Sequence, residues 1–415
     1  MNVAVAQSGG PTCAINASLL GVFRQSMQLN EIDTVYGAVN GIEGLIYDHV
    51  VSLNDIIRDD DEIELIRQTP STVLGSCRYK LPKIDADETV YKKIIATLNK
   101  YNIEAFFYIG GNDSMDTVVK LNDYFSKNDV KIKVIGIPKT IDNDLPITDH
   151  TPGFGSAAKY VATSMQEIVR DSNVYSVESV TIVEIMGRDT GWLTASTSVL
   201  RANGLEAPHL IYLPERGFSV KKFLDDVRVA MKKYYAVIVA VSEGIELDPN
   251  EVGETDQSGK VDVFGHKYLA GVGKTLEKVV SRELKCKVRS IELNVMQRCS
   301  SHISSKRDIT EAERIGAAAV TAMVSGKSGV MMYFNRICNK PYTVRIDSVD
   351  AKEVANRVKY FPDEWIAESG NDVKNEAIDY FLPLIQGEQN TRYKNGIPCH
   401  YILPCALPHE SAKKK

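Results

Sequence analysis

Basic residues are not in excess in this chain: 49 lysines and arginines face 54 aspartates and glutamates, a formal charge of −5. That balance lacks the cationic face a nucleic-acid partner requires, so none is expected. The seven cysteines form no C-x-x-C pair and the seven histidines no H-x-x-x-H spacing. These absences argue against a structural zinc site. An odd, dispersed set of cysteines fits reduced thiols and a cytoplasmic setting. No run of eighteen apolar residues occurs, so neither a membrane-spanning helix nor a membrane partner is expected. The opening "MNVAVAQSGG" has no basic stretch followed by a long apolar core, and reads as a strand and a turn, not a secretion signal.

What is present is an ordinary globular composition, 44% hydrophobic and 25% charged, over 415 residues. That length predicts two or three domains. Short apolar runs alternate with helical spacing. Residues 3–6 are β-rich, and Ile15, Leu19, Val22, Phe23 and Met27 then recur at a helical period. "EAFFYIGG", "KIKVIGIP", "SVTIVEIMG", "HLIYLPE" and "YAVIVAVSEG" each read as a strand feeding a polar loop. Residues 157–170 and 221–233 read as helices between them. Such alternation predicts an α/β chain of two Rossmann-like, three-layer domains with parallel-rich sheets, the active site in the cleft between them. The expected division is 1–152 with a returning segment near 298–335, then 153–297, and a C-terminal extension at 336–415 that packs on the body. "DPNEVGETDQSGK", polar and glycine-rich, reads as an exposed excursion, and "SAKKK" as a solvated tail.

In open parallel sheets ligands bind beyond the carboxyl ends of the strands. Three strand-to-loop transitions there carry chemistry. "AQSGGPTCAINASL" sets Gly9 and Gly10 before a helix, where backbone N–H groups meet an anion closely, though it is neither a Walker loop nor G-x-G-x-x-G. "IGGNDSMD" sets Gly111, Asn112 and Asp113 before another helix; Asn, Asp and Ser are also ordinary N-cap residues. "PKTIDND" crowds Lys139, Thr140, Asp142 and Asp144 into seven residues. Carboxylates suit Mg²⁺, and lysine suits a phosphate. Together the loops describe a phosphoryl-transfer site, in which one carboxylate takes the nucleophile's proton. Arg78, Arg188, Arg289 and Arg298 offer forks that match phosphate oxygens, which makes a phosphorylated sugar a natural partner.

The motifs "SGGPTCAINASL", "GSCR", "GGNDS", "PKTIDND", "MGR", "VSEG" and "MQR" resemble the phosphofructokinase family in order and approximate spacing, from Gly9 to Arg298. "GNDV" further on resembles an extension of one bacterial branch. The resemblance implies phosphoryl transfer to the 1-hydroxyl of fructose 6-phosphate, with Mg²⁺ as cofactor. It implies Asp142 as general base, with Thr140 and Asp144 completing its loop. It implies Met186, Gly187, Arg188, Glu243 and Arg298 around the sugar phosphate, and Arg289 lent across a subunit interface. Gly9, Gly10, Arg78 and Gly111 are implied at the donor, and Asn112 and Asp113 at the metal. The segment 1–152 with 298–335 would take the donor and 153–297 the sugar. A homodimer or homotetramer in the cytoplasm is implied as well.

The donor is set by two positions. ATP-using relatives carry glycine where this chain has Asp113 and Lys139; pyrophosphate users carry Asp and Lys. A carboxylate at 113 opposes ATP's α-phosphate. Two like charges about 4 Å apart cost roughly 4 kcal/mol at an effective dielectric of about 20. Lys139 supplies the cation for a compact diphosphate with no nucleoside to anchor it. The expectation is therefore reversible transfer from pyrophosphate; an ATP-dependent enzyme and a non-catalytic regulatory homologue are the alternatives. Asn112 replaces an aspartate of ATP users. Ser179 stands where many relatives place an arginine from a neighbouring subunit, which leaves sedoheptulose 7-phosphate as a second acceptor.

Overall fold

The computed structural model describes residues 1–252 and 271–403. Much of the excursion expected at 248–260 and the basic tail lie outside the described residues; within them, Pro249–Val252 forms one helical turn. Among the described residues no helix is long and apolar enough to cross a membrane, and the six cysteines there are unpaired.

The chain is α/β, with two parallel-rich sheets. The first has seven strands: β1 (Asn2–Gln7), β2 (Thr34–Ala38), β3 (Val50–Ser52), β4 (Ile103–Gly110), β5 (Lys133–Pro138), β10 (Val330–Asn339) and β11 (Tyr342–Asp350), in the order β11-β10-β5-β4-β1-β2-β3. The second has four: β6 (Ser179–Ile185), β7 (Leu210–Tyr212), β8 (Ala236–Ser242) and β9 (Lys287–Glu292), in the order β7-β8-β6-β9. Within these two sheets all pairings are parallel except β2 with β3 and β10 with β11 at the far edges of the larger one. The central strands are nearly continuous apolar runs because helices cover both faces: every position of β8 is buried, and in β4 only Glu104 reaches the surface.

A boundary between 335 and 336 would cut β10, so the correction is physical: β10 pairs with β5 and with β11, and both strands belong to the larger sheet. The helix Lys306–Val324 returns to that sheet and packs on the helix Ile15–Met27. A Cβ on Gly21 would stand 2.0 Å from the Glu313 carbonyl, and one on Gly316 2.1 Å from that of Ser18. The two backbones therefore touch, which only glycine permits.

A buried charge cluster ties the end of the β5 loop to this returning helix and to β10. His150 is 2% exposed, stacks on Phe334, and bonds Asp149 and Glu311 at 2.8 Å each. Arg336 bonds the same Asp149 carboxylate. Burial alone would lower the His150 value, but its two carboxylate partners outweigh it and hold the imidazolium above the usual range. A raised folded value makes this stabilisation complete below the ordinary histidine range and lost as pH climbs through the raised one. His150→Gln should therefore cost about 3 kcal/mol at pH 6, the scale of breaking a buried pair, and clearly less at pH 9. Urea unfolding at both pH values checks this; equal deficits would count against it.

Candidate active site

The carboxyl ends of β1, β4 and β5 in one sheet meet those of β6 and β8 in the other. After β1, Gly9 turns at φ +75°, and the Ser76 hydroxyl donates to its carbonyl at 2.7 Å. Arg78 follows two residues on, at the surface beside this loop. After β5, the buried Lys139 reaches back across the sheet, and its Nζ donates to the Gly10 carbonyl at 2.6 Å. Two cations flank the glycine pair: a Cβ on Gly9 would lie 3.3 Å from that Nζ, and one on Gly10 3.6 Å from the Arg298 guanidinium. At Gly9 the positive φ and the nearby ammonium together favour glycine, whereas a Cβ on Gly10 would make only an ordinary contact. Burial pulls the Lys139 ammonium down to about 7, with Asp142 and Asp144 supporting its charge against Arg188 and Arg298.

The β5 loop is shaped by its own side chains. The Asp142 N–H donates to the Thr140 hydroxyl at 3.1 Å, and the Thr151 hydroxyl donates to the Thr140 carbonyl at 2.8 Å. Asn143 and Ile147 both take positive φ, 56° and 71°; for a β-branched residue that is a strained conformation. Burial raises the Asp142 carboxyl, and Arg188, Lys139 and the Thr140 hydroxyl oppose this. Burial and the Asp142 charge lift Asp144 to about 6.

Across the gap, β6 delivers Met186, Gly187 and Arg188. Arg188 Nε lies 3.8 Å from the Asp142 carboxylate, and the Thr190 hydroxyl donates to the Asp142 carbonyl. The turn needs Gly187 at φ +154°, where a Cβ would meet the Thr190 carbonyl at 2.5 Å. Glu243, just past β8, accepts the Gly187 and Arg188 N–H groups at 3.1 Å each. Burial lifts Glu243 to about 7, against those two hydrogen bonds. Gln297, beside Arg298, accepts the Met186 N–H.

The loop after β4 differs from its sequence reading. Gly111 is the N-cap of the helix Asn112–Lys127, so Asn112 and Asp113 stand in its first turn and neither side chain caps it. The Asn112 carboxamide turns to the C-terminal segment, accepting the Asn356 N–H and donating to the Arg357 carbonyl. Asn112 was expected at the metal; its amide is instead committed to that backbone. Among the described residues the Asp113 side chain makes no hydrogen bond or ion pair. Arg289 lies within β9, exposed, against Asp171 at 3.1 Å, and is not drawn into the cluster. Among the described residues no three His, Cys, Asp or Glu side chains converge as a metal-ligating group.

Sequence reading passed over Lys359, Asn143 and Gly244. A Cβ on Gly244 would fall 1.7 Å from the Arg188 carbonyl. The only signal for it was its place in "VSEG". For Lys359 there was none.

The site has the parts of a phosphoryl transferase: glycine loops and cations on one sheet, a carboxylate and an arginine facing each other across to the second. The phosphofructokinase family model matches residues 2–323, and the chain belongs to that family. A pyrophosphate--fructose 6-phosphate 1-phosphotransferase of Halomonas elongata is 36% identical over 400 residues, spanning 96% of this chain and 94% of its own. The crystal structure of a pyrophosphate-dependent phosphofructokinase from Nitrosospira multiformis superposes with a TM-score of 0.85 at 34% identity, covering 96% of this chain and 95% of its own. A sulfofructose kinase of Alkalicoccus urumqiensis is 35% identical over 386 residues, 92% of this chain and 96% of its own.

Proposed function

We propose that the chain transfers a phosphoryl group reversibly between pyrophosphate and the 1-hydroxyl of fructose 6-phosphate. The observation that carries this reading is Lys139 seated inside the Gly9–Gly10 turn while Asp142 and Arg188 face each other at 3.8 Å on the sugar side. Lys139, with the Gly9–Gly10 turn, the N–H groups of Gly10 and Gly111 and Arg78, binds the diphosphate and offsets charge as the group moves. Arg188 and Arg298 hold the sugar phosphate, with Met186, Gly187 and Glu243 lining its ring. Asp142 accepts the proton of the 1-hydroxyl, freeing its oxygen to attack. Asp113 would hold Mg²⁺, which when bound neutralises charge on the diphosphate. Both transfer partners have comparable phosphoryl potential, so the reaction runs both ways.

The donor half comprises 1–152 with the returning segment from about 298, extended to Asp350 by β10 and β11; the sugar half is 153–297. Arg289, facing outward, completes the sugar site of a second copy in a cytoplasmic homodimer or homotetramer.

Steady-state turnover with Mg-pyrophosphate and with Mg-ATP tests the donor; activity with ATP alone overturns the reading. Sedoheptulose 7-phosphate and sulfofructose, assayed in parallel, define the acceptor. Asp113→Gly is expected to raise the KM for pyrophosphate about tenfold or more and to admit ATP, removing a like-charge opposition worth roughly 4 kcal/mol at its closest. Unchanged use of pyrophosphate by that variant would refute the role of position 113.

A further inference from the structure

We propose that Lys359 is a positioning residue for the catalytic loop, acting through Asp142. It lies beyond residue 323, where the match to the family model ends. The backbone of 356–358 runs along the surface, and Lys359 is the residue that turns inward. Its ammonium has three N–H donors and spends one on each of three oxygens: Asn143 Oδ1 at 3.3 Å, the Thr148 carbonyl at 3.0 Å and the Asp149 carbonyl at 2.9 Å. Its own N–H donates to the Asp144 carbonyl at 2.7 Å. All four acceptors belong to the 142–149 loop, on both sides of its bend.

Lys359 is itself held in place. Its carbonyl accepts the Trp192 indole N–H at 2.9 Å, and the Trp192 ring faces the ammonium at 4.9 Å from its centroid. The same strap, three residues earlier, receives the Asn112 carboxamide next to Asp113. One segment thus fixes both acid-bearing loops from outside.

The loop requires such a tie because it is strained. Asn143 and Ile147 hold positive φ on either side of Leu145, and strained backbone persists only where its surroundings over-determine it. Relaxing either residue swings Asp142 away from the hydroxyl it must reach. A misplacement of about 1 Å costs on the order of a hundredfold in rate.

This rests on Asp142 being the base, so the test separates the two ideas. Lys359→Met keeps the stem and removes the three donors; Lys359→Gln is the milder variant, carrying the same criteria if the first does not fold. In the full-length protein, kcat with pyrophosphate should fall ten- to a hundredfold and the Kd for fructose 6-phosphate stay within threefold. Amide exchange in 140–150 should quicken at least tenfold. In an Asp142→Asn background the same change should cost less than twofold, since a misplaced base that is already absent costs nothing. A kcat within twofold of wild type in the folded variant, or a full multiplicative loss on top of Asp142→Asn, overturns the proposal. A parent Asp142→Asn that turns over normally would instead sink the assignment of the base.

Discussion

Asp142→Asn is expected to lower kcat at least a thousandfold while leaving fructose 6-phosphate affinity within a few-fold. General-base catalysis supplies about 10²–10⁴ in rate. The amide keeps the shape of the carboxylate, so the Thr140 and Thr190 contacts to its backbone persist. Arg188 and Glu243 remain to bind the sugar phosphate. The pH profile follows from the same geometry. Burial raises Asp142, and burial with the Asp142 charge raises Asp144 to about 6. The base works only when unprotonated, so forward turnover should climb as pH rises through the Asp142 ionisation, which burial places above the usual carboxylate range, and the limb should vanish in the variant. In reverse, the protonated acid is the working form and the slope changes sign. Stopped assays in both directions across pH 5–9 check this; a variant within tenfold of wild type would remove Asp142 from the chemistry.

Lys139→Met should lower kcat/KM for pyrophosphate by about a thousandfold, close to the loss expected when a preorganised charge donor is removed from a dry site. Methionine fills the slot left by the buried stem, so folding survives. The ammonium bonds Gly10 and lies 3.3 Å from the position a Gly9 Cβ would take. Burial brings its value to about 7. Its cationic fraction in the free protein therefore drops as pH rises through that value, and the KM for pyrophosphate should rise with it. In Lys139→Met this dependence should be absent; comparing both proteins in the same buffers cancels the ionisation of pyrophosphate. Unimpaired use of pyrophosphate by the variant would mean the lysine serves folding only.

Central strands were legible in the sequence because burial on both faces leaves no polar alternation to confuse. "EAFFYIGG" is β4 and "YAVIVAVSEG" covers β8, apolar almost throughout. β9, "KVRSIE", escaped because it is an edge strand whose residues are at least partly exposed. The β10–β11 pair escaped because the apolar, largely buried start of β10 runs into a polar, exposed end, and the mostly half-exposed β11 gives no clean period. In the site, Gly9, Gly10, Lys139 and Asp142 could be singled out because strand-end loops leave glycine and charge adjacent in sequence. Asn112 and Lys359 could not be placed that way: their partners lie more than 200 residues off, and no local pattern encodes a contact at that range. Arg289 lies on the exposed face of β9, outside the cluster built by its own chain.

The backbone contact between Gly21 and Gly316 has a consequence during synthesis. The helix Ile15–Met27 emerges from the ribosome early, yet its partner Lys306–Val324 follows about 280 residues later. At ordinary translation speeds that is a wait of roughly 15–60 s. Throughout it the flank of the first helix that meets its partner lacks its native cover, and it gains that cover only once more than three-quarters of the polypeptide has been made.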